Sequence, residues 1–180
     1  FLGMLFKEYH QNGLFFATDI NPSASSSISQ TAKTNKIEIH VCSCDLLSPF
    51  SPRLSSSFDI IIFNPPYVPT ESEEIVHPFL SSSSSTPSSS SNFPSSSSSL
   101  LPASWAGGKR GREVIDRFFT QLPSLLSPQG RFYLVVVEEN DPQELMREAE
   151  KMGLVGRVVK KRFCISEGLS VLCFEWGKEG

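Results

Sequence analysis

The sequence predicts an α/β fold with a doubly wound, mostly parallel sheet. This prediction rests on the order and the composition of the strand patterns along the chain. Apolar runs typical of strands alternate with segments of helical period along the 180 residues. Residues 58–63 include consecutive isoleucines, which is typical of a parallel strand buried on both faces. Near the end of the chain two strand patterns flank a short turn, which predicts a terminal antiparallel pair.

Helices and strands alternate in the first part of the chain. The predicted ranges are a helix at residues 1–9, a strand at residues 14–20, a helix at residues 22–34 and a strand from Ile37 to Val41. Asp19 lies near the end of the first strand, and Asp45 and Leu46 follow the second. Nucleotide-binding α/β folds place an acid at such a strand end to bind ribose hydroxyls, although either aspartate is equally an ordinary turn or capping residue.

The alternation resumes after a serine-rich segment at residues 79–99. That segment has too little apolar surface to offset the entropy cost of ordering it, so we expect a disordered insert. The ranges predicted beyond it are a helix at residues 114–126, a strand at 131–137, a helix at 141–152 and strands at 154–163 and 169–176.

Composition limits the classes of function. The chain is 39% hydrophobic with a net charge of −3, which suits one domain with a core and gives no basic stripe for nucleic acid. We interpret the basic groups at residues 109–112 and 160–162 as solvated surface. No apolar run reaches the length of a membrane span, so we expect a cytoplasmic protein, with the nucleus as a further location, and no membrane partner. The cysteines and histidines lack ligand spacing, and we expect no metal.

The isoleucine strand ends at Asn64-Pro65-Pro66-Tyr67, which we interpret as the candidate active site. Two successive prolines cannot donate to a sheet ladder, so the chain leaves the strand as a stiff turn. The Asn64 side-chain oxygen and the Pro65 carbonyl can accept both hydrogens of a planar amino group and stabilise the charge that develops during methyl transfer. Pro66 would keep that carbonyl pointed inward, and Tyr67 would offer a flat face to the substrate.

Two plainer interpretations of this turn remain open. It is also what an ordinary strand end looks like, and it resembles a short peptide ligand for an adaptor domain. Asp19, Asp45 and Asn64, however, all follow predicted parallel strands, and open α/β sheets bind ligands at the carboxyl ends of such strands. We therefore expect these three residues to share one crevice.

These motifs resemble those of class I methyltransferases that use S-adenosylmethionine, and specifically the HemK-related release-factor glutamine methyltransferases. The resemblance implies that Asp19 binds the ribose of S-adenosylmethionine, that Asp45 and Leu46 lie at its adenine, and that the turn at residues 64–67 holds the substrate. Residues 105–117, with the pattern Trp-Ala-Gly-Gly-x-x-Gly-Arg-Glu-Val-x-Asp-Arg, are similar to the eukaryotic and archaeal branch.

The resemblance also implies an activity and a partner. The activity is methyl transfer to the glutamine amide of the Gly-Gly-Gln loop in a class I translation release factor, within a heterodimer with a small zinc-binding activator subunit. In this topology the strand from Ile37 to Val41 lies at a sheet edge, where we expect the activator to pair. The alternatives are a nucleic-acid adenine methyltransferase, a protein lysine methyltransferase, and an inactive product that only binds the partner.

The family's first strand and glycine-rich loop have no counterpart in the sequence, which begins at Phe1. In the family that strand is central, between the strands expected here at residues 14–20 and 60–64. We therefore interpret residues 1–180 as a single truncated methyltransferase domain. We expect its sheet to lack its middle strand and its affinity for S-adenosylmethionine to be low.

Overall fold

The computed structural model describes Glu8 and residues 12–75, 97–164 and 167–177. The chain divides into two compact units, the first made of Phe1–Ser48 and His77–Leu101 and the second of Pro49–Val76 and Pro102–Gly180. The predicted helix at residues 1–9 lies outside the described residues except for Glu8, and so does the predicted insert up to residue 96; a 3-10 helix spans Ser97–Ser104. In the part of the chain described, no helix has the length and apolar character needed to cross a membrane.

The first unit contains two parallel strands joined by a helix. Its elements are β1 (Phe16–Asp19), α1 (Pro22–Thr34) and β2 (His40–Ser43). The strands are in register so that Asp19 lies opposite Ser43. The helix begins where predicted because the Asn21 side chain accepts a hydrogen bond from the Ser23 N–H and Pro22 occupies the first turn.

The second strand begins at His40, so the predicted start at Ile37 is wrong. Lys36 has a φ of 55°, and the Ile37 N–H donates to the Ala32 carbonyl at 3.0 Å. This bond belongs to the end of the helix and removes Ile37 from the sheet ladder. Pairing with β1 begins only where the His40 N–H donates to the Phe15 carbonyl at 2.8 Å.

The second unit contains a four-stranded mixed sheet. Its strands are β3 (Phe58–Phe63), β4 (Leu126–Val136), β5 (Leu154–Cys164) and β6 (Glu167–Trp176), and its helices are α2 (Glu113–Leu125) and α3 (Pro142–Lys151). The order is β3-β4-β6-β5, with β3 parallel to β4 and β6 antiparallel to both of its neighbours. The α/β class and the terminal antiparallel pair are thus confirmed.

Stacked aromatic rings fix the end of β3 in the core of the second unit. Phe63, the last residue of β3, stacks on Phe118 of α2 with 4.3 Å between ring centroids. Phe118 stacks in turn on Phe132 of β4 at 5.1 Å, and Phe132 stacks on Phe174 of β6 at 5.6 Å. Because Phe63 directly precedes Asn64, this packing anchors the strand from which the candidate active-site turn begins.

The prediction that β3 is buried on both faces is wrong for the described structure. Ile61 is buried, but Ile60 and Ile62 are 40% and 41% exposed. Successive side chains of a strand point to opposite faces, and α2 packs on the face that carries Phe63. The described residues do not bury the other face to the same degree.

The described strands form two sheets rather than one. No ladder joins β1 to β3 among the described residues, and β1 pairs there only with β2. The interpretation of residues 1–180 as one truncated domain remains a prediction.

Candidate active site

The turn after β3 presents polar acceptors that are not used inside the described structure. Asn64 is exposed, Pro65 is buried, and Pro66 and Tyr67 are half-buried. Among the residues described, neither the Asn64 carboxamide nor the Pro65 carbonyl has a hydrogen-bond partner. Both groups therefore retain their capacity to accept hydrogen bonds from a ligand.

The segment that begins at Trp105 pairs with the residues just after this turn, although the serine-rich stretch separates the two in sequence. The Val68 N–H donates to the Trp105 carbonyl at 3.0 Å, and the Gly107 N–H donates to the Val68 carbonyl at 2.9 Å. The Thr70 N–H donates to the Gly108 carbonyl at 3.0 Å, and the Gly108 N–H donates to the Thr70 hydroxyl at 3.1 Å. Residues 64–70 and 105–111 thus form one structure, which we call the turn clamp.

Two glycines permit the close approach inside the turn clamp. A Cβ added at Gly107 would lie 2.5 Å from the Pro66 carbonyl oxygen, and one added at Gly111 would overlap the Tyr67 carbonyl. Gly111 also has a φ of +67°, a conformation that other residues rarely adopt. Gly107 and Gly111 of the Trp-Ala-Gly-Gly-x-x-Gly pattern are therefore required by the backbone of the turn itself.

Asn140 is the site residue that sequence reasoning missed. It is fully buried, and its Nδ2 donates to the carbonyls of Tyr67 at 2.9 Å, Arg110 at 3.0 Å and Gly111 at 3.3 Å. Its Oδ1 accepts the Val137 N–H at 2.9 Å. One side-chain amide therefore joins both halves of the turn clamp to the end of β4. In the sequence Asn140 precedes Asp-Pro at a helix start, where an asparagine is typical of an exposed turn.

The interpretation of residues 109–112 as solvated surface is wrong for Arg112. Its side chain is 8% exposed and contacts Asp116 at 2.8 Å and Glu144 at 3.0 Å. A buried guanidinium requires such partners, because an unpaired buried charge is strongly unfavourable. Arg110 is more exposed and bridges Asp141 and Glu144. Together these ion pairs tie the glycine-rich half of the turn clamp to the start of α3.

The carboxylate of Asp141 is held in its charged form. The backbone N–H of Glu144 donates to it at 3.0 Å, and this bond, with a further contribution from Arg110, lowers the pKa of Asp141 below its ordinary value. The same bond caps the first turn of α3.

In the first unit the structure brings Asp19 and Asp45 to the same end of the β1–β2 pair. Asp19 ends β1, and its carbonyl accepts the Cys44 N–H at 3.0 Å. One carboxylate oxygen of Asp19 accepts the Asn21 N–H at 2.8 Å, which leaves further lone pairs on that carboxylate. Asp45 follows Cys44, and Leu46, with a φ of 52°, turns the chain away from the strand.

The Cys44 thiol is buried next to these aspartates. Burial, and then the nearby Cys42, Asp45 and Asp19, raise the pKa of Cys44 to about 11. The thiol is therefore protonated near neutral pH, and its single hydrogen is shared weakly between the carbonyls of Cys42 and Leu46. The carboxylates of Asp19 and Asp45 at this strand end suit a ligand that presents hydrogen-bond donors.

The predicted site residues thus fall into two groups. Asp19, Asp45 and Leu46 belong to the first unit, and the turn at residues 64–67 belongs to the second. The crevice expected to be shared by both groups remains a prediction.

Comparisons with known proteins identify relatives of the sequence. Residues 1–89 match the family model described as methyltransferase small domain. The chain is 40% identical over 161 residues to methyltransferase HEMK2 of Homo sapiens, a match that covers 89% of this chain and 65% of the human protein. It is 36% identical over 120 residues to the eRF1 methyltransferase catalytic subunit mtq2 of Schizosaccharomyces pombe, covering 67% of this chain and 44% of the yeast protein. The chain thus spans just under two thirds of the human relative's length.

Solved structures show the same fold. The E. cuniculi Mtq2-Trm112 complex, responsible for methylation of the eRF1 translation termination factor, includes a chain that matches with a TM-score of 0.55 and 22% identity, covering 98% of this chain and 93% of that one. A ribosomal protein L11 methylase from Lactobacillus delbrueckii matches with a TM-score of 0.53 and 15% identity, covering 94% and 63%. The chain is thus similar in sequence to the methyltransferases HEMK2 and mtq2. It shares the fold of the solved methyltransferase structures.

Proposed function

We propose that the protein is an S-adenosylmethionine-dependent methyltransferase that modifies the glutamine side-chain amide in the Gly-Gly-Gln motif of a class I peptide chain release factor. The observation that carries this proposal is the turn itself. It presents the exposed Asn64 carboxamide next to the Pro65 carbonyl, and neither has a partner among the described residues. Two neighbouring acceptors match a planar nitrogen that bears two hydrogens.

The chemistry of an amide explains why two acceptors are needed. The nitrogen lone pair is delocalised, so the nitrogen is a poor nucleophile until its developing positive charge is stabilised. Acceptors at Asn64 and Pro65 provide that stabilisation, and they also orient the nitrogen. Bound S-adenosylmethionine would supply an electrophilic methyl group on a sulfonium. Transfer forms an N–C bond as the S–C bond breaks, and the amide proton, which is acidic at that stage, passes to water, so that no strong base is required.

The residues of the first unit fit S-adenosylmethionine by their donor and acceptor chemistry. We assign the Asp19 carboxylate to the ribose hydroxyls, because both hydroxyls are donors and the carboxylate keeps acceptor capacity beside its bond to Asn21. We assign Asp45 to the adenine amino group and Leu46 to the apolar face of the adenine. Both aspartates lie at the same end of the β1–β2 pair, which supports an acceptor role for each of them.

The proposal includes a small zinc-binding activator subunit as partner. Among the described strands β2 pairs only with β1, so its other edge has unpaired backbone groups. Ile37 and Ile39 lie half-buried just before this edge. We propose that the activator extends the sheet there, as a strand or a loop, and covers both isoleucines. Because the proposed substrate is a release factor, we propose the cytoplasm as the location of the complex, with the nucleus as a further location.

The first prediction concerns Asn64. We expect Asn64→Ala to lower kcat about 10²- to 10³-fold, as expected when one pre-organised hydrogen-bonding group of the transition state is removed. The measurement is transfer of radiolabelled methyl groups to a recombinant release factor by the full-length protein with its activator. Asn35→Ala, at the exposed end of α1, is the matched control and should keep full activity.

The same assay tests the identity of the substrate. A release factor with its Gly-Gly-Gln glutamine replaced should accept no label. Label on a DNA oligonucleotide or on lysine would instead support the adenine or lysine alternatives, and no label on any substrate would support a product that only binds the partner. The net charge of −3 disfavours nucleic acid.

A second prediction concerns the cofactor. Asp19→Asn keeps an oxygen for the Asn21 N–H but removes the charge, so we expect affinity for S-adenosylmethionine to fall about 10- to 100-fold. Calorimetric titration of the full-length complex measures it, and Glu150→Gln, an exposed change on α3, serves as the control. Equal affinity of the Asp19→Asn variant and the control would contradict the assignment of Asp19.

A third prediction concerns the activator. Ile39→Asp places a charge beside the open edge of β2 and should abolish co-purification of the two chains, because a buried unpaired charge at the interface is costly. Val155→Asp, an equally drastic change at a 51% exposed position of β5, should leave the complex intact. Retention of the complex by Ile39→Asp would show that the partner binds elsewhere.

A further inference from the structure

We propose that Asn140 is a positioning residue for the reaction, one that fixes the peptide group between Tyr67 and Val68 and thereby the acceptors at Asn64 and Pro65. The inference rests on the function proposed above for the turn. Asn140 would touch neither substrate nor S-adenosylmethionine, since it is fully buried and bonded to the backbone on all sides.

The peptide group that follows Tyr67 is bonded at both of its polar atoms. Its carbonyl accepts from Asn140 Nδ2 at 2.9 Å, and its N–H, which belongs to Val68, donates to the Trp105 carbonyl at 3.0 Å. These bonds prevent the peptide plane from rotating. Between this fixed plane and the Pro65 carbonyl, the φ of Pro66 is restricted by its ring, so only the ψ of Pro66 and the φ and ψ of Tyr67 remain.

Asn140 also sets the turn against the sheet. Its Oδ1 holds the N–H of Val137, the residue that follows β4, and β4 is paired with β3 so that Leu134 lies opposite Phe63. The turn is thus held at its start by β3 and at its end by an amide attached to the neighbouring strand. A displacement of about 1 Å at a reacting group can cost about 10²-fold in rate, so this second attachment has a catalytic consequence.

The Asn140 side-chain amide is suited to this role because it has a hydrogen-bond donor, Nδ2, and an acceptor, Oδ1. The Nδ2 group has two hydrogens and lies within bonding distance of three carbonyls, those of Tyr67, Arg110 and Gly111. An aspartate has the same shape and could still accept the Val137 N–H, but it would place an oxygen against the three carbonyls. Asn140→Asp therefore removes the donor side of the contact at nearly constant volume.

The test compares Asn140→Asp and Asn140→Ser with the unmodified enzyme, using the full-length protein with its activator, tritiated S-adenosylmethionine and a recombinant release factor. We expect kcat to fall about 10²-fold in both variants, with KM for S-adenosylmethionine unchanged, because the turn and not the cofactor site is disturbed. Serine is the second variant because its small side chain admits water, which keeps the test informative if the aspartate variant does not fold.

A matched control separates positioning from stability. Leu154→Ala removes a fully buried side chain of β5, outside the turn clamp, and should lower the thermal midpoint at least as much as the Asn140 changes. All variants are assayed at a temperature where circular dichroism shows them folded, and there the control should keep its kcat. An equal loss of kcat in the control, or an unchanged kcat in the Asn140 variants, would overturn the inference.

The Asn64→Ala variant distinguishes failure of the proposed function of the turn from failure of the proposed role of Asn140. If it is inactive while the Asn140 variants keep their kcat, the proposed function of the turn stands and the role of Asn140 is wrong. If Asn64→Ala keeps full activity, the turn is not the active site and both proposals are overturned.

Discussion

The geometry of the turn clamp depends on one constraint, the immobilised peptide group between Tyr67 and Val68. Asn140 bonds its carbonyl and Trp105 bonds its N–H, while Gly111 lies so close that a side chain there would overlap it. Upstream, Phe63 is fixed by ring stacking on α2. The four residues between these two anchors include two prolines, so the turn has little freedom and presents its acceptors in a fixed arrangement.

The ion pairs around the turn clamp also help to fix the position of the turn. Arg112 is buried, and its ion pairs with Asp116 and Glu144 connect the glycine-rich segment to two helices. Such a pair contributes little net stability by comparison with apolar packing, but breaking it leaves an unpaired buried charge. The glycine-rich segment is therefore held in one place, and through its backbone hydrogen bonds it fixes the position of the turn at residues 64–67.

Local signals in the sequence were sufficient for some elements and not for others. The start of α1 was predictable because its cap, Asn21, and Pro22 are adjacent in sequence. The start of β2 was not, because a helix-ending bond from the Ile37 N–H to the Ala32 carbonyl overrides the alternating pattern. Asn140 could not be recognised because its contact with Tyr67 spans 73 positions, and the burial of Arg112 likewise depends on a distant partner, Glu144. The positions of the turn and of the two aspartates at strand ends were predictable because Asn64 directly follows β3, Asp19 ends β1, and Asp45 lies two residues after β2.

The most direct test is a crystal structure of the full-length protein bound to its activator, S-adenosylhomocysteine and a release-factor peptide that contains the Gly-Gly-Gln motif. We expect the glutamine side-chain nitrogen to lie within about 3.2 Å of both Asn64 Oδ1 and the Pro65 carbonyl oxygen, while Asn140 still bonds Tyr67. A glutamine nitrogen bound by other groups, with the Asn64 carboxamide turned away from it, would contradict the account.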